Sequence, residues 1–184
     1  MLAIFFGFLW GCYTTHKIRT SATNVILPGT NSLSLDTADP KFRKKVDILI
    51  QRLEDKGYKP RVMSTYRSNA RQKYLMDISD FGEKYLRLQM RYTNAGPGQS
   101  CHNNTNSKGE PASLAVDIHG HHLGFLAYIS KRNREKHVAF FRDLDKERRR
   151  LGLCWGGDFS GDTIWSEYGI GSDPPHITSR RCCK

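Results

Sequence analysis

From residue 39 onward the chain shows two alternating periods of apolar and polar positions. Asp39-Pro40 reads as a helix N-cap followed by proline at the first helical position. Phe42, Val46, Leu49, Ile50 and Leu53 then recur at helical spacing, and Gly57 can end the helix. Arg61-Val62-Met63-Ser64-Thr65-Tyr66 is a strand pattern, and Ser68 can cap a second helix through Lys73, Leu75 and Ile78. Residues 92–111 are polar and rich in glycine and asparagine, which predicts a loop. Leu114 to Ile118 is a short apolar strand with one acid, Asp117, set in it. Arg134 to Leu151 predicts a third helix, with Val138, Phe141 and Leu144 on one side and Gly152 at its end. The stretch from Cys154 to Ile177 breaks into short strands and glycine-rich turns. The expected fold class is α+β: a small antiparallel sheet backed by about three helices.

The beginning of the chain follows a different pattern. Leu2 to Trp10 is almost wholly apolar, too short for a comfortable membrane span and about right for a signal h-region. The usual basic n-region is missing. Leu9-Trp10-Gly11-Cys12 resembles a lipoprotein signal ending at its lipidated cysteine. Residues 13–37 are rich in Thr, Ser and Asn without a period. The expected organisation is therefore a signal or lipoprotein-like anchor at 1–12, a linker or arm at 13–37, and one domain over 38–184. The expected localisation is exported, envelope-associated or released at lysis, with membrane association through the N-terminus.

Composition narrows the class. A chain of 184 residues, 38% hydrophobic and 26% charged, is long enough for one globular core. Lysine and arginine total 29 against 18 acids, a net charge of +11 that favours a polyanionic partner. Nucleic acid and an anionic cell envelope both qualify. The basic residues are scattered, apart from Arg148-Arg149-Arg150 and Arg180-Arg181, and no helix carries a basic stripe interleaved with aromatics. Nucleic acid is thus not the expected partner. None of the five cysteines forms a CxxC pair, so no cysteine-rich zinc site is visible. With Cys12 set aside, Cys101, Cys154, Cys182 and Cys183 are either free thiols or disulfides in one of three pairings.

Three features carry candidate chemistry, and each has a plainer reading. Asp117 inside an apolar strand must be salt-bridged or bound to metal, because an isolated buried carboxylate is costly. Asp173-Pro174-Pro175-His176 fixes an acid and an imidazole three residues apart on a proline-stiffened backbone; it is also ordinary turn composition. Arg67, at the end of a strand, can grip a carboxylate bidentately or stand solvated. His119, His121 and His122 follow the Asp117 strand; they read as a solvated turn or supporting contacts rather than ligands. His137, on the third helix, reads as a surface residue.

Taken together the motifs resemble one family. Tyr66-Arg67-Ser68 with Gln72, Ser100-Cys101-His102, Ala115-Val116-Asp117, Trp155-Gly156-Gly157-Asp158 and Asp173-Pro174-Pro175-His176 occur in the order seen in zinc D-Ala-D-Ala carboxypeptidases and L-alanyl-D-glutamate endopeptidases. That family includes many phage endolysins and the dipeptidases of vancomycin resistance. The resemblance covers residues 38 to 178. It implies a bacteriolytic or cell-wall-trimming hydrolase with peptidoglycan as substrate and an anionic cell envelope as surroundings. It implies Zn2+ held by His102, Asp117 and His176, Asp173 as general base, and Arg67 on the substrate or oxyanion. Gln72, Ser100 and Trp155 are implied on the substrate side, and the Trp-Gly-Gly-Asp form leans toward endopeptidase. Two positions depart from the pattern. Asn103 to Ala112 reads as an insertion between His102 and the strand, with Ser113 where glycine is common. Thr178 stands where an acid is common. A non-catalytic wall-binding module and a basic nucleic-acid-binding protein are the alternatives.

Overall fold

The computed structural model describes residues 29–86, 93–120, 131–160 and 165–183. The expected anchor at 1–12, the arm as far as residue 28, and His121 and His122 lie outside them.

The first helix, α1, runs Pro40–Asp55, and the Asp39 carboxylate accepts the Lys41 and Phe42 N–H groups, as the cap pattern requires. Phe42, Val46, Leu49 and Leu53 form its buried face. Strand β1 (Arg61–Ser64) leads into α2 (Asn69–Leu86), strand β2 is Ala115–His119, and α3 is Lys131–Arg150. Strands β3 (Leu153–Trp155) and β4 (His176–Ser179) complete the sheet. The sheet order is β1-β2-β4-β3, with every pair antiparallel. This is the expected α+β architecture.

Helices α1 and α3 pack together over one face of the sheet. Val116, Ile118 and Ile177 from the strands meet Leu49, Leu53, Phe140, Phe141 and Leu144 from the helices, all fully buried. Fully burying one such side chain is worth about 1.5–3 kcal/mol, so this layer makes the sheet a rigid platform. His137 also belongs to it. Expected at the surface, it is 3% exposed, with its ring beside Phe141 and Trp165. The helical period places it on the same side as Phe141, four residues on, and that face is buried.

Residues 29–37, within the expected arm, are tied to the domain. The Ser32 N–H donates to Tyr66 O and the Ser32 carbonyl accepts the Thr65 N–H. Leu35–Thr37 is a short 3-10 turn capped by Ser34. The basic run that suggested a polyanion surface is largely paired within the fold. Arg148 bonds Asp145 and Asp158, Arg149 bonds Asp145, and Arg150 bonds Glu147.

Candidate metal centre

The sheet ladder creates the first half of the site. Asp117 on β2 and His176 on β4 are direct cross-strand partners, so both side chains leave the same face of the sheet. Asp117 Oδ1 lies 3.0 Å from His176 Nδ1. The Asp173-Pro174-Pro175 turn delivers His176 into β4, and Pro175 O accepts the Ile118 N–H at 2.8 Å. Gly156 makes room for this turn, since a Cβ there would collide with the Asp173 carbonyl and press on the His176 side chain.

The second half comes from a loop. Cys101–Asn103 is a 3-10 turn capped by Ser100, and His102 on it is 1% exposed. The His102 carbonyl accepts the Arg67 N–H at 2.9 Å, and Asn103 Nδ2 donates to Arg67 O at 2.6 Å. His102 Nδ1 lies 2.6 Å from Thr65 O. A carbonyl can only accept, so Nδ1 carries the proton and Nε2 presents its lone pair. That nitrogen is 3.3 Å from both Asp117 Oδ1 and His176 Nδ1.

The insertion explains how His102 reaches Asp117 despite fourteen intervening positions of sequence. Asn103 to Ala112 doubles back on itself. Thr105 bridges Pro111, and the Ala112 N–H donates to Asn104 O while Asn104 Nδ2 donates to Ala112 O. The extra residues thus close into a small loop of their own. A disulfide then joins Cys101, beside His102, to Cys182, and a second joins Cys154 to Cys183. Of the three pairings open to these four cysteines, this one ties the final turn to both the His102 loop and β3.

Among the described residues, His102, Asp117 and His176 form a group able to hold a metal ion, their donor atoms lying within 4.8 Å of one another. The electrostatics fit that role. Burial works to raise the Asp117 pKa, but His102 and the Arg67 guanidinium outweigh it and hold the carboxyl well below the usual range. Arg67 Nη2 bonds Asp117 Oδ2, and Arg67 Nε donates to Ser64 Oγ at 2.9 Å. Oδ1 is left directed at the imidazoles. Burial, with Arg67 and His176 nearby, pushes the His102 pKa down, so its lone pair is available. Burial also pulls on His176, but the Asp117 carboxylate prevails and raises its pKa. Two imidazoles and one carboxylate in tight convergence suit zinc, and three protein ligands leave one position open.

Asp173 borders this group on its solvent side. Its side chain is 50% exposed, against 1–15% for the three convergent residues, and Oδ2 lies 4.0 Å from His176 Nδ1. Although half the side chain reaches solvent, desolvation by the protein around the carboxyl and the negative Asp117 push the Asp173 pKa up. The remaining expected residues support the site. Ser100 Oγ accepts the His102 N–H at 3.3 Å. Gln72 is fully buried, and its Nε2 donates to Thr93 Oγ1 and Ala95 O, which pins the loop leading to Ser100. Trp155, expected on the substrate side, is 5% exposed and donates its indole N–H to Pro174 O at 2.6 Å. It lies beneath the Asp173–His176 turn and holds it. Thr178, where an acid was the common residue, is buried. His119 is partly buried at the end of β2 and takes no part in the convergent group.

Comparison with known proteins agrees with this geometry. The sequence profile described as VanY, D-alanyl-D-alanine carboxypeptidase, matches residues 36–156. No curated protein sequence matches the chain. One similar solved structure is a variant of the vancomycin-resistance D,D-pentapeptidase VanY from a VanB-type cassette, in complex with Zn(II). It is 22% identical, with a TM-score of 0.50 over 77% of this chain and 72% of that one. Another is VanYB in complex with D-alanine-D-alanine, 19% identical, with a TM-score of 0.52 over 88% of this chain and 82% of that one. At these identities the structures establish a shared fold.

Proposed function

The chain belongs to the VanY D-alanyl-D-alanine carboxypeptidase family of zinc peptidases, and from that premise we propose that it removes the terminal D-alanine from peptidoglycan stem peptides. The observation that carries the reading is the convergence of His102 Nε2, Asp117 Oδ1 and His176 Nδ1 with Arg67 behind them and Asp173 beside them. His102, Asp117 and His176 would hold the zinc. When bound, the metal would polarise the scissile carbonyl and acidify the attacking water. Asp173 takes a proton from that water and delivers it to the leaving amine; its raised pKa suits a group that must both accept and return a proton. Arg67, anchored on Ser64 and Asp117, directs positive charge at the substrate's terminal carboxylate or at the oxygen that becomes negative.

An L-Ala-D-Glu endopeptidase of the lytic, endolysin type is the second reading. Its support was Trp155-Gly156-Gly157-Asp158. That segment packs beneath the Asp173–His176 turn, a role either activity needs, so it favours neither, and the family match supports the carboxypeptidase reading. Two disulfides joining four of the five cysteines support export to an oxidising compartment, in keeping with an envelope substrate. The net charge of +11 suits retention near an anionic wall.

Mass spectrometry of peptidoglycan fragments treated with the zinc-loaded protein tests the proposal. Stem peptides shortened by one D-alanine are the expected product. A new D-glutamate amino terminus would establish the endopeptidase instead. Intact fragments bound to a zinc-free protein would reduce the chain to a wall-binding module.

A further inference from the structure

The loop that carries His102 rejoins the sheet at Ser113, which is wholly buried. Its backbone is fastened to the segment before α1: the Ser113 N–H donates to Thr37 O, and the Ser113 carbonyl accepts the Asp39 N–H, each at 2.9 Å. Its hydroxyl lies 2.8 Å from Ala115 O, 2.9 Å from Thr65 O and 3.3 Å from Cys101 O, and accepts the Ala115 N–H at 3.2 Å. Three segments of chain therefore meet at one hydroxyl: the end of β1, the turn that bears His102, and the start of β2. The Thr65 carbonyl is also the acceptor for His102 Nδ1–H. Thr65 is itself fully buried, with its N–H on Ser32 O. The orientation of the His102 ring thus depends on a carbonyl that Ser113 holds in place.

We propose that Ser113 is a positioning residue for His102. Its hydroxyl holds the Thr65 carbonyl where it receives the Nδ1 proton, so that Nε2 keeps its lone pair turned toward Asp117 and His176. The long loop after His102 makes such a fastening necessary, because β-sheet register does not constrain the loop. Which ring nitrogen of a histidine can bind metal is set by the bond the other makes, and losing such a support costs roughly 10–100-fold in metal affinity. The part of the inference that concerns metal rests on the zinc reading above; the ring tautomer is a property of the chain alone.

The test compares wild type with Ser113→Ala by NMR of 15N-labelled histidine in the metal-free protein and by zinc competition titration. In wild type, His102 should be protonated on Nδ1. The variant should show mixed tautomers and a zinc Kd raised about tenfold. Glu147→Ala, far from the site, is a matched control that should lower Tm and leave both readouts unchanged. A Ser113 with a merely structural role would behave like that control, and wild-type ring shifts and Kd in Ser113→Ala would overturn the proposal. Ser113→Gly, which introduces no clash, supplies the same readings if the alanine variant does not fold. Absence of zinc binding even in wild type would overturn the zinc reading; the ring-nitrogen shifts would still decide the role of Ser113.

Discussion

Two clusters of buried charge lie on opposite sides of this molecule, and only one has the form of an active site. In the seam between α1 and α3, Glu147 is 2% exposed, and its carboxylate meets Arg150 at 2.9 and 3.1 Å and Arg52 at 3.3 Å, with Lys56 at 3.7 Å. Asp143 beside it accepts bonds from Lys56 and Tyr58. Each acid there is answered by cations whose side chains reach water. Around Asp117 the pattern is different. One carboxylate oxygen is answered by Arg67, and the other faces two imidazole nitrogens, His176 Nδ1 at 3.0 Å and His102 Nε2 at 3.3 Å. Burial and ion pairing alone therefore do not mark function. A converging set of donor atoms able to hold a metal ion does.

Substitutions should separate the clusters. The largest effect is expected at His176. His176→Ala should leave a folded chain that retains no stoichiometric zinc and hydrolyses no stem peptide; zinc content by elemental analysis and product by mass spectrometry check both. Full activity would remove the convergent group from the mechanism. Asp173→Ala should be nearly as damaging to turnover, with kcat/KM about 10³-fold lower, within the range for losing a general base. Its zinc content should match wild type, because Asp173 stands outside the three ligands. Glu147→Ala should show the reverse pattern. Removing the shared partner of three cations should cost about 2 kcal/mol, since those cations can turn to solvent and escape the full penalty of a stranded buried charge. That corresponds to a Tm about 4–8 °C lower for a chain of this size, with kcat/KM on stem peptides unchanged.

The two clusters were not equally legible in the sequence. Asp117 and the Asp173–His176 pair stand in short, stiff motifs, where a strand period and two prolines fix the geometry locally. His102 is separated from them by a polar insertion, and its placement depends on contacts from distant segments: the Thr65 carbonyl, the Arg67 backbone and the Cys101–Cys182 bridge. No local pattern encodes such contacts. Nor does spacing choose among three possible cysteine pairings. Trp155 shows how a motif can be read correctly and its side chain misplaced: the segment sits at the site, but the indole is under it, bonded to Pro174. Arg148, Arg149 and Arg150 look like a free basic run until the turn of α3 sets Asp145 and Glu147, three or four residues earlier, beside them. Of the three, Arg150 belongs to the seam, where Arg52 and Lys56 arrive from α1 and the residue after it.

The smallest expected effect lies at the edge of the seam and tests whether its polar contacts act on stability alone. Tyr58 donates its phenol proton to Asp143 at 2.8 Å. Burial, with the Asp143 bond and charge added, pushes the Tyr58 pKa up to about 12. The unfolded value is about 10, so the folded state binds the proton more tightly. Its contribution to stability is fully present below pH 10 and is lost as pH rises from 10 to 12. Tyr58→Phe should therefore cost about 1 kcal/mol at neutral pH, the ordinary net worth of one hydrogen bond. The gap between wild type and variant should narrow across pH 10–12, while the lysines common to both cancel from the comparison. Urea unfolding at pH 7, 10 and 12 measures it. A gap that stays constant across that range would mean the phenol's proton does not matter to the seam. A loss of stem-peptide hydrolysis in Tyr58→Phe would show that seam and site are coupled through α3, and the separation of the two clusters would fail.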